Sequence, residues 1–382
     1  SNCPQGVTLG AGDDLSFFSN NAAQGNRNND NGCDAKGLCG LPYSGNSLGG
    51  VTVFHTKMPQ QAMAHLSVGT FLQQFDDYGT DEDYVGHRLN AVVGNRKGAW
   101  SLLLAASRLE NEGHPQSFGL TRGTGPNPGT PVTSAHPYSQ GGYVYNAASG
   151  SEVTEQNLKL KLGYDLTHDL QARLTLAWLD RRDETLKPQT YLRDSNGSLV
   201  YNGDVTINGE DFAVTSQRLG LAESQDLITG LELDGKLGNG WDIQTAVSDY
   251  RVLDDSSRSS GTDFTIANAG GPGTLSKDQG TGWQTLDLNL GHRHDGGWLG
   301  QRVAFGYHLD RYRLDEINYN TSEWRTAHGR TLKSASQGET RTQALFIENE
   351  WALTDKLELT LGGRQEWWQA SEGRLAQNGA SA

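Results

Sequence analysis

The chain has 382 residues, with 31 Lys and Arg against 45 Asp and Glu, for a formal net charge of −14. That balance excludes a nucleic-acid binder, which needs basic patches to neutralise phosphate, and simple adsorption to an anionic membrane surface. Gly is abundant (49 residues) and only 35% of the chain is hydrophobic, yet nine Trp, 13 Tyr and 10 Phe recur in order, which fits a turn-rich β protein and not a disordered one.

Residues 1–41 are rich in Asn, Gly and Asp and read as irregular structure. They hold all three cysteines, Cys3, Cys33 and Cys39. A disulfide between Cys33 and Cys39 would suit an oxidising compartment; free thiols are the open alternative. The start, Ser1-Asn2-Cys3-Pro4, lacks the basic and apolar regions of a signal peptide, so a cytosolic protein or a processed N-terminus is expected. No apolar run is long enough for a transmembrane helix, which leaves membrane crossing by strands open. Residues 42–59, PYSGNSLGGVTVFHTKMP, then combine a glycine-rich bend, a short alternating run and a proline stop.

From residue 64 onward the pattern is period-two alternation. Leu158, Leu160, Leu162 and Tyr164 share one face against Asn157, Lys159, Lys161 and Asp165; after a short turn, Leu170, Leu174, Leu176 and Trp178 repeat the design. It recurs at 227–247 and at 343–361. About eleven strands are expected, near 64–75, 84–94, 99–113, 154–166, 170–182, 225–237, 241–254, 282–292, 301–320, 339–353 and 357–370. Their connections alternate between longer and shorter, the longest being roughly 40, 42, 27 and 18 residues. A soluble sandwich has comparable loops at both ends, whereas an antiparallel transmembrane β-barrel has short turns on one side and long loops on the other. Trp100, Trp178, Trp241, Trp351, Trp367 and Trp368 sit near strand ends, where interfacial girdles would place them. The polar face (Lys159, Lys161, Arg173, Glu232, Asp234, Asp287, Asn289, Glu358, Thr360, Arg364 and Glu366) then lines a hydrated or plugged lumen.

In this context Tyr43, Gly45, Asn46, Ser47, Leu48, Gly49, Gly50, Val51, Val53, Thr56, Lys57 and Pro59 resemble the plug exit of TonB-dependent outer-membrane receptors, siderophore receptors among them. Residues 349–366, with Leu353, Asp355, Leu357, Leu359, Leu361, Gly362 and Arg364, resemble that family's periplasmic-turn hairpins. The resemblance covers roughly 42–370. The Arg-Gly-Pro segment usual before the exit motif has no match in GLCGLPYSG. It implies residues 1–60 as the end of a plug domain and 61–382 as the N-terminal half of the barrel, since the family closes with about 22 strands. A longer parent chain is therefore expected, with a TonB box upstream and further strands downstream. The implied function is TonB-dependent uptake of a scarce ligand across the Gram-negative outer membrane, most often a ferric siderophore. Cobalamin, haem or a carbohydrate are alternatives within the family; a passive porin-like channel and a soluble β-rich binding protein are alternatives outside it. The implied partners are the TonB–ExbB–ExbD complex, outer-membrane lipid and lipopolysaccharide, and a ligand at the external loops. No cofactor is expected beyond a transported iron chelate.

The acidic run 76–83 offers Asp76, Asp77, Asp81 and Asp83 as calcium ligands, but without the ordered spacing of an EF-hand loop; a solvated acidic tip is the favoured reading. The histidines, including His55, His65, His114, His136 and His308, show no haem-receptor context. Ligand contacts are expected from Arg181, Arg182, Tyr250, Arg251, Tyr312, Arg313, Arg364 and Trp368, because guanidinium forks suit oxyanions and aromatic rings stack on planar or sugar groups. GxSxG, HExxH and P-loop motifs are absent, and no enzyme is expected.

Overall fold

The computed structural model describes residues 58–78, 80–115, 118–121, 125, 127–147, 150–215, 218–294, 301–354, 356–377 and 380–381. Cys33 and Cys39, and all of the glycine-rich exit motif before Met58, lie outside the described residues. In chain order come β1 (Met63–Asp77), β2 (Thr80–Lys97), β3 (Trp100–Glu112), β4 (Phe118–Leu120), β5 (Thr130–Val132), β6 (His136–Pro137), β7 (Tyr143–Ala147), β8 (Ser151–Asp165), β9 (Leu170–Thr185) and β10 (Gln189–Thr190). There follow β11 (Gly203–Ile207), β12 (Glu210–Val214), β13 (Gly220–Gly238), β14 (Trp241–Ser260), a single helical turn α1 (Phe264–Ala267), β15 (Gly273–Asp278), β16 (Gly282–His294), β17 (Gln301–Thr321), β18 (Thr331–Thr354), β19 (Leu357–Gln377) and β20 (Ala380–Ser381).

One antiparallel sheet forms the wall, in the order β1-β2-β3-β8-β9-β13-β14, then β15 and β16 side by side in sequence against both β14 and β17, then β18-β19-β20. Neighbours in space are neighbours in sequence once the long connections are set aside. All eleven expected strands are present, most of them longer than the pattern suggested. The turns at one end are tight because their residues permit it. Asn239 (φ 52°) and Gly240 (φ 80°) are left-handed, the geometry of an Asn-Gly hairpin turn whose twist matches the flanking strands.

The register separates two faces. One row after another places Leu104 beside Leu160, Leu160 beside Leu176, and Leu162 beside Leu174 and then Leu231. The band continues through Val247, Leu286 and Leu309, and through Leu288, Tyr307 and Leu345. Leu158 through Leu166 takes eight steps of about 3.3 Å, which at a tilt near 40° is on the order of 20 Å of apolar height, close to a hydrocarbon core. Trp100 packs against Tyr164 with ring centroids 4.5 Å apart, and Trp241 against His292 at 4.6 Å, at the short-turn edge of the band. Trp178 and Trp367 share the apolar face at its other edge. Trp368 departs from the expected girdle: it is adjacent to Trp367 and so points to the opposite face.

The opposite face is polar, and its charges are matched across strands. Arg173 grips Glu232 through two bonds of 2.6 and 3.1 Å, Arg96 pairs with Asp165, and His308 lies 2.7 Å from Asp287. Such pairing is what charge on a shielded surface requires. The chain enters on this side. Pro59 is buried, and a side chain at Gly94 would come within 3.1 Å of it. A side chain at Gly163 would come within 3.0 Å of the Met58 methyl group, and Arg96 donates to Gln60 at 3.1 Å. Glycines 94 and 163 thus leave room on the polar face for the segment that precedes β1.

The faces make opposite demands on neighbouring residues of β16. Leu288→Arg, at mid-band, is expected to cost about 2–4 kcal/mol in lipid, whereas Asn289→Arg on the polar face should cost less than about 1 kcal/mol. Urea unfolding of the full-length protein in vesicles measures both; equal losses would contradict the assignment of faces.

Candidate ligand-facing site

The long-loop end of the wall is built up in two blocks. The connections 113–150 and 186–219, expected as loops, carry two small sheets that join them. β4, β6 and β10 pair with β7; β12, β11 and β5 form the other sheet. Val132, Tyr145, Leu192, Val205, Ile207, Phe212 and Val214 close a buried core between them. Alternating Val205 and Ile207, then Asn208-Gly209, then Phe212 and Val214 is a short hairpin signal (φ 52° and 88° at the turn), and it was available in the sequence. Gly129 lies so close to the backbone of Asp204 and Val205 that no side chain fits there. In the second block, the indole N–H of Trp324 donates to the Ala267 carbonyl at 2.9 Å, Glu323 accepts from the Gly271 N–H at 2.9 Å, and Leu219 joins the same core. Both blocks are held by cores and hydrogen bonds, so their surfaces are preformed.

The acidic run 76–83 spans the end of the β1–β2 hairpin, with Asp76 and Asp77 in β1, Tyr78 in the turn and Asp81 and Asp83 in β2. β1 and β2 stay in register to Asp77 opposite Thr80. Asp76, Asp81 and Asp83 share one face, and Asp77 lies on the other; all four are exposed. Among the described residues, no group of three or more His, Cys, Asp or Glu could hold a metal ion. The hairpin end is instead latched to the loop module. The Thr80 hydroxyl lies 2.6 Å from that of Tyr191 and donates to Gln189 at 3.0 Å; Gln189 donates to Glu82 at 2.6 Å, and Tyr84 donates to Glu82 at 3.1 Å. Phe75, Tyr78, His114, Phe118, His136 and Tyr191 pack ring against ring around this latch. Burial, then the bond to Glu82, push the Tyr84 phenol up to about 12.

Of the eight expected ligand residues, alternation brings five to the polar face and sends three the other way. Arg181, Tyr250, Tyr312 and Trp368 lie on the polar face near the long-loop end. Arg182, Arg251 and Arg313 stand on the side of the leucines, beyond the band. Arg364 is on the polar face but deeper, opposite Phe346, with Glu366 at 3.1 Å. The sequence reading passed over Trp283, which lies between Tyr250 and Tyr312 in one row across β14, β16 and β17, with ring centroids 4.7 and 6.4 Å apart. The Tyr250 hydroxyl donates to Asp226 at 2.8 Å. Above this aromatic shelf, Asp255 and Asp278 sit opposite each other; burial first, and then neighbouring carboxylates, hold both above the usual carboxylate range. The shelf offers flat faces for a planar ligand, with a carboxylate rim and the Arg181 guanidinium nearby.

Two outcomes test the loop blocks. Phe212→Ala should remove enough packing, about 3 kcal/mol or more, to raise amide exchange across residues 130–147 and 189–214 at least a hundredfold while sparing β16 to β19. The Tyr84 phenol has a folded value above its unfolded one of about 10, so its contribution to the latch is complete below about pH 10 and is lost between about 10 and 12. Tyrosinate absorbance should show a late-titrating phenol that disappears in Tyr84→Phe.

Comparison with known proteins gives a family. Residues 163–381, more than half of the chain, match the TonB dependent receptor-like β-barrel family. Among solved structures the chain is similar to the ferripyoverdine receptor of the Pseudomonas aeruginosa outer membrane, bound to ferripyoverdine: 13% identity, TM-score 0.51, covering 87% of this chain and 40% of that one. It is also similar to the siderophore receptor PiuA from Acinetobacter baumannii, at 10% identity and TM-score 0.43, covering 87% and 49%. At these identities the first likeness concerns the fold, and the chain spans less than half the length of either receptor. No curated protein matches it by sequence. The eleven-strand meander, its two-faced register and the family match agree: this chain belongs to the TonB-dependent receptor β-barrel family.

Proposed function

We propose that this chain is the plug exit and first half of the barrel of a receptor that takes up a ferric siderophore across the outer membrane of a Gram-negative bacterium. Residues 1–60 end the plug and 61–382 begin the wall. The TonB–ExbB–ExbD complex supplies the force through a segment upstream of the plug exit. The observation that carries this reading is the family match joined to the chain's entry on the polar face, where Met58 and Pro59 sit against Gly163 and Gly94. A passive porin-like channel does not explain that entry.

What supports this ligand class is the shelf of Tyr250, Trp283 and Tyr312, which faces the same side toward the long-loop end. Flat aromatic groups, such as the chelating rings or chromophores of many iron carriers, stack on such faces. The likeness in fold to a receptor crystallised with ferripyoverdine is in keeping with an iron chelate as cargo. Cobalamin, haem and carbohydrate are the competing cargoes within the family.

Cells lacking the gene should lose energy-dependent accumulation of radiolabelled iron from at least one supplied ferric siderophore, and cells lacking TonB should lose it equally. Trp283→Ala in the full-length receptor should weaken chelate binding about three- to tenfold without changing expression. Undiminished iron uptake with loss of cobalamin or haem uptake would replace the cargo while keeping the transporter; conductance independent of TonB would replace the transporter with a pore.

A further inference from the structure

We propose, building on the uptake reading above, that the cargo carries a cationic arm, an ammonium or guanidinium group, seated between the aromatic shelf and a row of carboxylates on the polar face of β14 to β17. The register assembles that row. From Ser224 on β13 it passes to Asp255 on β14, Asp278 on β15 and Glu316 on β17, each directly opposite the next. Asp226 stands between this row and the shelf, opposite Val252, and accepts the Tyr250 hydroxyl at 2.8 Å. Glu316 lies on the same face of β17 as Tyr312 and about 13 Å along the strand from it. A planar group lying on Tyr250, Trp283 and Tyr312 therefore reaches Asp226 at once and the outer row with a short arm.

Three observations point to a cation supplied from outside these strands. The first is the charge balance. Among the described residues, Asp226, Asp255, Asp278 and Glu316 form no ion pair, and the cations nearby are otherwise placed. Arg181, two strands from Asp255 in the same row, is held by Glu155 at 3.6 Å and Asp183 at 3.1 Å. Lys277 lies on the opposite face, 3.5 Å from Asp254. Lys159 stands three strands from Tyr250 along the row of the shelf. Asp255 directly opposite Asp278 is a like-charge pair, which destabilises a sheet unless something neutralises it.

The second observation is an orphaned acceptor. One carboxylate oxygen of Asp278 is fully buried without a hydrogen-bond partner, and Asp226 is only 8% exposed. Burial holds Asp226 above the usual carboxylate range, as burial and then neighbouring carboxylates do for Asp255 and Asp278. A positive group with N–H donors would relieve both the buried oxygen and the repulsion. The third is the shelf itself, whose three ring faces attract a cation through their quadrupoles as well as a planar group by stacking. The choice of an organic cation over a metal follows from the spacing: among the described residues, no group of three or more His, Cys, Asp or Glu could hold a metal ion. The net charge of −14 would also draw such a cargo toward the protein.

The test uses the full-length receptor in detergent, with affinities from quenching of tryptophan fluorescence. The probes are the ferric complexes of one synthetic hydroxyquinoline carrier in two forms, with an aminopropyl arm and with that arm N-acetylated. Heat-resistant migration on a gel checks that each variant is folded. The ammonium form should bind about tenfold more tightly or better, and the advantage should shrink as salt is raised. Asp255→Asn with Asp278→Asn should cut the advantage to less than about twofold and leave the acetylated form's affinity unchanged, whereas Asp254→Asn on the opposite face should preserve it. Equal affinity for the two forms, the result expected if a basic residue of the plug already neutralises the row, would overturn the proposal. So would an undiminished preference in the Asn double variant, or no binding of the ammonium form. None of these results touches the uptake reading, which fails separately if cells lacking the gene accumulate iron normally from every chelate supplied.

Discussion

The structure depends on one constraint: backbone polar groups facing hydrocarbon must be bonded within the protein, and a laterally paired sheet does this while leaving each side chain free to point one way or the other. Two consequences run through the chain. The pairing favours neighbours in sequence, so the wall is a meander from β1 to β19, with only the split β15 and β16 interrupting the one-strand-one-lane pattern. The two-residue period then sorts every side chain by parity. Leu160 and Leu176 go to one face and Lys161 and Arg173 to the other, and no local adjustment short of a bulge can exchange them.

The polar face shows what that sorting asks for in return. A charge turned away from lipid still sits on a partly shielded surface, so Arg173 is matched to Glu232 one strand away and Arg96 to Asp165 two strands away. Between the charges, small residues make room. Gly94 and Gly163 admit Met58 and Pro59, which places the entering chain against the wall that follows it. The long connections solve a different problem. Free loops of that length would carry a large entropic cost on ordering around a ligand, and here that cost is met in folding by separate cores around Phe212 and Trp324. The aromatic shelf toward that end is fixed by the register of three strands.

Much of the wall could be read from the chain. Alternation of Leu158 to Tyr164 with Asn157 to Asp165 identifies a strand and its faces, and Asn239-Gly240 identifies its kind of turn, because both signals are local. The same rule separates Tyr250 from Arg251, and Arg181 from Arg182, since adjacent strand residues cannot both face a lumen; grouping them by height alone missed this. The loop module was less legible. Its strands are three to five residues long, and its partners, such as Tyr145 and Val205, are far apart in sequence. The Asn208-Gly209 hairpin was its single local sign. The acidic run 76–83 reads as a polar tip, and it does carry the β1–β2 turn at Tyr78; what its composition could not show is that strand pairing continues to Asp77 opposite Thr80 and that Gln189 and Tyr191 latch its end.

The sequence by itself determined the secondary structure of the wall, the identity of its two faces and the positions of its tight turns, because period, parity and turn chemistry are properties of neighbouring residues. The tertiary structure decided which residues share a row. Trp283 joins Tyr250 and Tyr312, and Asp255 meets Asp278 and Glu316, only once the strands are in register. Register is set by bulges, turn lengths and packing summed over many strands, so a site made of rows across the sheet comes into being with the fold.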